Sequence, residues 1–330
     1  MNNILQTKCD LLAENRNLIS KGFVLEHSML KIASALVYTQ EGKVADIDYL
    51  KECRGVLRKN EGVFSDFRGL CELLVSSRLA QKDDPERFMD DIASVYKMLH
   101  EGRIFGSRYM VLAAISICDA KRAADAREII AKTDALLKGM KKQHPFLTSD
   151  EDTSFAVLLA MTDKDVETIL EELEQNYQNL KKNFMFHDNA VYSLAQVLTM
   201  QEGSSNEKCE KAVDIFNAFK EAGVKYGKEY ELSSIGALVG MNAEIGEMVK
   251  DIVEASAFLK EQKGFGGLDI SGKTRLMFSA LLYAGTFADE NAVSKASALE
   301  STLAMIITEE IVFMMMMVVM TSSAAANSSH

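Results

Sequence analysis

The stretch "EMVKDIVEASAFLKEQKGFGGLDISGKT", Glu247–Thr274, decides the fold. Its last eight residues, Gly267–Thr274, fit G-x-x-x-x-G-K-[ST], the loop that cradles phosphates in nucleotide-binding enzymes. That loop needs a buried strand ending at its first glycine and a helix starting at the Lys-Thr, whose backbone N–H groups face the phosphates. The upstream half denies the strand. Val249, Ile252, Val253, Ser256, Phe258 and Leu259 recur at helical spacing, with charges between them. Downstream, "TRLMFSALLYAG" is a good helix. The partner motif is missing too. "MVLAAISICD", ending at Asp119, is the nearest candidate for a strand with a magnesium-binding Asp, and it reads better as a helix. The stretch is therefore helix, glycine turn, helix. Gly264, Gly266 and Gly267 make the turn, Ser271 caps the second helix, and Lys273 is exposed.

The same alternation runs through the chain. A short, Ala-rich apolar helix is followed by a turn and a longer, charged amphipathic helix. The apolar segments read "KIASALVY", "GLCELLVS", "YMVLAAIS", "SFAVLLAM", "SLAQVLTM", "SIGALVGM" and "MFSALLYA". Anchored on Leu36, Leu73, Leu112, Leu158, Val197, Leu238 and Leu281, they lie 37, 39, 46, 39, 41 and 43 residues apart. Helix pairs at intervals of roughly 34 to 47 residues are the mark of solenoids, whose units stack because none buries its apolar face alone. In the longer helix "DVETILEELEQNYQNLKKN", Val166, Ile169, Leu170, Leu173, Tyr177 and Leu180 form one stripe. The expected fold is all-α, an α/α helical-repeat array of about seven helix pairs with no β-sheet. Residues 1–300 form one helical-repeat domain, and residues 301–330 an apolar C-terminal helix and a small, polar tail.

Turn chemistry agrees. Asp84 and Pro85 supply an N-cap and a first-turn proline. Ser204 and Glu207 have capping-box spacing. Gly62, Gly102, Gly223 and Gly264 stand where the longer helices close.

The phrases "FRGLCELL", "KKQHPFLTSDEDTSFAVLLA", "KEYELSSIGAL" and "FLKEQKGFG…RLMFSALL", in that order, resemble a bacterial family of uncharacterised proteins, the domain of unknown function numbered 4003. The resemblance covers roughly residues 10 to 290. It implies an all-helical bacterial protein and brings no activity, substrate or catalytic residue.

Composition narrows the chemistry. Net charge is −11, which repels nucleic acid phosphates and anionic lipid head groups unless a local basic patch overrides the average. The Lys pairs Lys141-Lys142 and Lys181-Lys182 sit at helix ends, where they favour the carbonyl end of the dipole. They are not read as a patch, and no nucleic acid partner is expected. Cys9, Cys53, Cys71, Cys118 and Cys209 are odd in number and widely spaced, so they read as reduced, buried thiols of a cytoplasmic protein. The N-terminus lacks the apolar run of a signal peptide. His187-Asp188 resembles part of a helical metal site, but His27, the other histidine near an apolar segment, lies four repeats away. The acid clusters Asp83–Asp91 and Ser149–Ser154 stand at helix starts and read as solvated caps. No metal and no cofactor is expected.

The segment "IVFMMMMVVM", Ile311–Met320, spans about 15 Å as a helix, half a bilayer's hydrocarbon thickness, and Glu309 and Glu310 precede it. It is not a transmembrane segment. It reads as a cap on the open end of the array, a homo-oligomer contact, or an interfacial membrane contact.

The function stays unknown at this level. The sequence favours a helical-repeat protein that binds a protein or peptide partner on a face lined by the short helices. The alternative is an enzyme whose site is enclosed by a curved array. Arg68, Tyr109, Asp152, Asn189, Tyr230 and Arg275 open the short helices at similar offsets, so stacking would set them in one row.

Overall fold

The structure is a computed structural model that describes residues 1–59 and 65–291. Its helices follow in pairs. The first three pairs are α1 (Asn3–Gly22) with α2 (Ser28–Gln40), α3 (Ile47–Lys59) with α4 (Glu72–Leu79), and α5 (Pro85–His100) with α6 (Arg108–Asp119). Next come α7 (Ala126–Gln143) with α8 (Thr153–Ala160), and α9 (Val166–Lys181) with α10 (Asp188–Thr199). The last are α11 (Ser205–Glu221) with α12 (Ser234–Val239), and α13 (Ile245–Lys260) with α14 (Gly272–Asn291). No strand occurs among the described residues, and the protein is all-α.

Burial divides the helices into two layers. Every residue of α4 and of α8 is buried, and so are nearly all of α2 and most of α6. These short helices form the inner layer. The odd-numbered helices bury one stripe each, such as Met89, Ile92, Val95, Tyr96 and Leu99 on α5, and form the outer layer. Outer helix packs on next outer helix from α1 to α13. The inner layer runs from α2 to α14, with α4 joined to α6 by the buried Arg78–Asp119 ion pair. Then α1 packs on α13 and α14, and α2 on α14. The layers therefore close on themselves, and α1 fills the outer position between α13 and α3.

One device recurs between layers. Lys8, Lys132 and Lys211 reach from α1, α7 and α11 to carbonyls at the C-terminal ends of α2, α8 and α12. Their acceptors are Thr39 (3.2 Å), Thr162 (2.7 Å) and Met241 (2.6 Å). Each ammonium satisfies an orphan carbonyl and opposes the negative end of the inner helix dipole. Buried asparagines repeat in the same way. Asn15 donates to the Thr39 hydroxyl at 3.2 Å, and Asn176 to the Thr199 hydroxyl at 2.9 Å.

The expected caps are present. Asp84 accepts from the Arg87 N–H, with Pro85 following, and Ser204 and Glu207 form a capping box. Gly102, Gly223 and Gly264 take positive φ values; Gly62 lies outside the described residues. Helix α13 precedes the phosphate-loop match, so no strand feeds it. The Ser271 hydroxyl accepts from the Thr274 N–H at 3.0 Å and caps α14, and Lys273 is exposed. Asp119 ends α6. All five cysteines are buried thiols. No helix among the described residues is long and apolar enough to cross a membrane. The segment Ile311–Met320 lies outside the described residues.

Candidate functional site

Seven connections lead from an outer helix to the next inner helix, and side-chain contacts link them in a circle at one end of the ring. Arg16 pairs with Asp269 at 3.3 Å, joining the last connection to the first hairpin. Arg54 pairs with Glu26 at 3.0 Å and also with Glu72, joining the first connection to the second. The Tyr96 hydroxyl donates to Asp66, and this pair lies against Gly106 in the third connection; a side chain at Gly106 would collide with both. Ser154 donates to the Tyr109 carbonyl at 3.2 Å, and Gln196 to Asp152 at 2.7 Å. His187 Nδ1 lies 3.0 Å from Glu229, and the Tyr230 and Thr274 hydroxyls are 3.3 Å apart.

The densest polar group lies where the fourth connection meets α9 and α10. The rings of His144, Tyr177 and Tyr192 meet edge to face, with centroids 4.8 to 5.6 Å apart. His144 Nε2 is 2.5 Å from Glu174, and the Tyr177 hydroxyl donates to Asp188 at 3.0 Å. The Tyr192 hydroxyl, the Thr148 hydroxyl and Gln196 Oε1 are buried, and the two hydroxyls face each other. Burial pushes the Tyr192 phenol above its ordinary range, and the Asp152 charge adds to the shift.

Asp152 corrects the reading of its acid cluster as a solvated cap. It does cap, accepting from the Ser149 N–H at 2.8 Å, but it is only 6% exposed. The helix turns it inward toward Gln196 on α10. Burial raises its carboxyl to about 6, against the Ser149 N–H and the Gln196 amide, which favour the charged form. A carboxyl whose pKa is higher folded than unfolded binds more protons in the folded state. Its contribution therefore falls as pH rises from the unfolded value near 4 to the folded value near 6, then stays constant. The expected loss is on the order of 2–3 kcal/mol. Urea unfolding of wild type and Asp152→Asn, compared from about pH 4 to about pH 6.5, should show that slope in the difference between them. Parallel pH profiles would refute it.

The other residues expected in one row do different work. Arg275 is buried and holds the Ser256 and Phe265 carbonyls at 3.1 and 2.9 Å, tying α14 to α13 and its loop. Arg68 is half-buried and donates to the Arg58 carbonyl at 3.3 Å. Tyr109 and Tyr230 are half-buried, and Asn189 is exposed. His187 stands at the N-cap position of α10, and Asp188 is the first residue of that helix.

Apolar loop tips escape a periodicity reading. Eleven large apolar side chains are exposed among the described residues, and eight of them belong to these connections. They are Val24 and Leu25, Ile104 and Phe105, Phe146, Met185 and Phe186, and Leu268. Leu25 is 100% exposed, Phe146 98% and Phe186 92%. Their signal in sequence is an apolar residue inside a Gly, Pro, His or Asn turn, as in "GFVLEH", "GRIFGS", "HPFLTS", "NFMFHD" and "GGLDIS".

No curated protein and no solved structure matches this chain. The model of a family described as "Protein of unknown function (DUF4003)" matches residues 16–317. That match spans most of the chain, and the protein belongs to this family.

Proposed function

We propose that the protein is a docking module whose contact surface is the loop end of the ring. The observation that carries this is the gathering of eight exposed apolar side chains on five of the seven connections at that end. Single exposed apolar residues are ordinary on protein surfaces, but a set confined to one face marks an interaction site. Among the described residues the inner helices offer no comparable face. With α4 and α8 buried at every residue, a partner would meet the loops rather than a groove lined by short helices. A protein or peptide partner fits this reading, as does any other surface with an apolar component.

A photoreactive phenylalanine analogue placed at Phe146 or Phe186 in cells tests the face, with Tyr49 at the start of α3 as the control on the opposite end. Adducts are expected from both loop positions and not from Tyr49. Their absence at both loop positions would overturn the reading.

A further inference from the structure

We propose that the loop end docks on an anionic lipid surface, inserting its apolar tips between head groups. This rests on the docking reading above and names its partner. Two independent features support it.

The first is the form of the apolar surface. Leu25, Phe105, Phe146, Phe186 and Leu268 stand on five separate connections, each strongly exposed, around one end of a closed ring. They are separate points rather than a groove. Points at one end suit a planar, fluid surface that accepts each tip wherever it falls, whereas a folded protein would need a matching pocket for each. Leu25 and Leu268 also offer no ring for a nucleic acid base to stack on.

The second is charge. Every outer helix has a base in its last turn, and every one but α1 has an acid in its first. The last turns carry Lys21, Lys97, Lys141, Lys181, Lys220 and Lys260. The first turns carry Asp48, Glu86, Glu128, Glu167, Glu207 and Glu247. Because the outer helices all run the same way between the two ends, the lysines collect behind the apolar tips and the acids at the far end. At the loop end Glu26 pairs with Arg54, Asp269 with Arg16, and Glu229 lies beside His187; Glu101, Asp150, Glu151, Glu221 and Glu261 are exposed, and so are Lys142, Lys182, Lys225, Lys228 and Lys263. The net charge of −11 thus conceals a basic end. A basic, apolar-tipped face complements an anionic bilayer, since interfacial binding sums buried apolar area and attraction to anionic lipids. The same basic face argues against a second copy docked end to end.

Co-sedimentation of the full chain with phosphatidylcholine vesicles, with and without about 30% phosphatidylglycerol, tests this. Binding is expected only to the anionic vesicles at about 0.1 M salt, and weaker at about 0.5 M. F146S/F186S should reduce the partition coefficient about tenfold at unchanged melting temperature, because both side chains are free of the core. K142E/K182E should reduce it by a similar factor at low salt and by less at high salt. Absence of wild-type binding, or binding that survives both double variants, would overturn the proposal. If vesicles are not bound while the photoreactive loop positions give protein adducts, the lipid inference falls and the docking reading stands. If neither is seen, both fall.

Discussion

A chain lacking residues 1–24 is expected to aggregate, and to lose the cooperative unfolding of the full protein. The reason is the place of α1 in the ring. In an open array, a terminal helix has neighbours on one side, and its loss removes one interface. Here α1 packs on α2 and α3 on one side and on α13 and α14 on the other. Its deletion uncovers both. Leu5, Cys9, Leu12, Ile19 and Phe23 are all buried. At about 1.5–3 kcal/mol for a large apolar side chain, the four largest contribute roughly 6–12 kcal/mol before entropy is subtracted. That is comparable with the whole net stability of an ordinary domain, about 5–15 kcal/mol. A soluble, cooperatively melting fragment 25–330, seen by calorimetry and sedimentation, would show that the closure adds little.

Asp119→Asn is expected to be the most damaging single substitution at the opposite end of the ring. The Asp119 and Arg78 side chains are 4% and 7% exposed, and Lys82 also reaches Asp119, at 2.6 Å. The substitution leaves the Arg78 guanidinium buried without its counter-ion. Breaking one side of a buried ion pair costs about 3–5 kcal/mol, whereas replacing both partners by apolar residues of similar volume is often neutral. In urea unfolding, the single variant should show a clearly lower midpoint. The double variant R78M/D119L should recover most of it. A single variant with wild-type stability, or a double variant as damaged as the single, would contradict this account. The same pair explains why the apolar segment ending at Asp119 resembles a strand ending in a metal-binding acid. Its carboxylate is held by two basic side chains, and it joins α6 to α4.

The all-α class was legible because its evidence is local. The stripe of α9, the cap at Asp84 and the box at Ser204 each follow from residues within a few positions of one another. The phosphate-loop match could be set aside on the same ground, since the residues just before it are helical. Closure was not legible. Arg16 meets Asp269 across 253 positions, and nothing in "LAENRNLIS" distinguishes a helix that shuts a ring from one that begins an array. Buried polar residues were hidden for a related reason. Asn15 and Asn176 look like members of a solvated face until a threonine of the inner helix is placed beside them. Asp152 is the plainest case. Its acidic neighbours suggest solvent, but α10 covers it. The loop tips were visible as apolar letters within turns, but only the circle of contacts puts them on one face. The lysine pairs likewise seemed no more than helix endings. They are helix endings, and the parallel course of the outer helices makes them a common surface.

The closing position of α1 also sets a timetable for synthesis. This helix leaves the ribosome before the rest of the ring, and its partner α13 follows about 240 residues later. At roughly 5–20 residues per second, that is a wait on the order of 10–50 s. For that interval Leu5, Leu12 and Ile19 have only the early neighbours α2 and α3 to cover them. The growing chain is an open arc with an unfinished apolar edge at each end, one waiting and one advancing. The ring becomes complete only when α13 and α14 emerge and the earliest helix is captured by the latest.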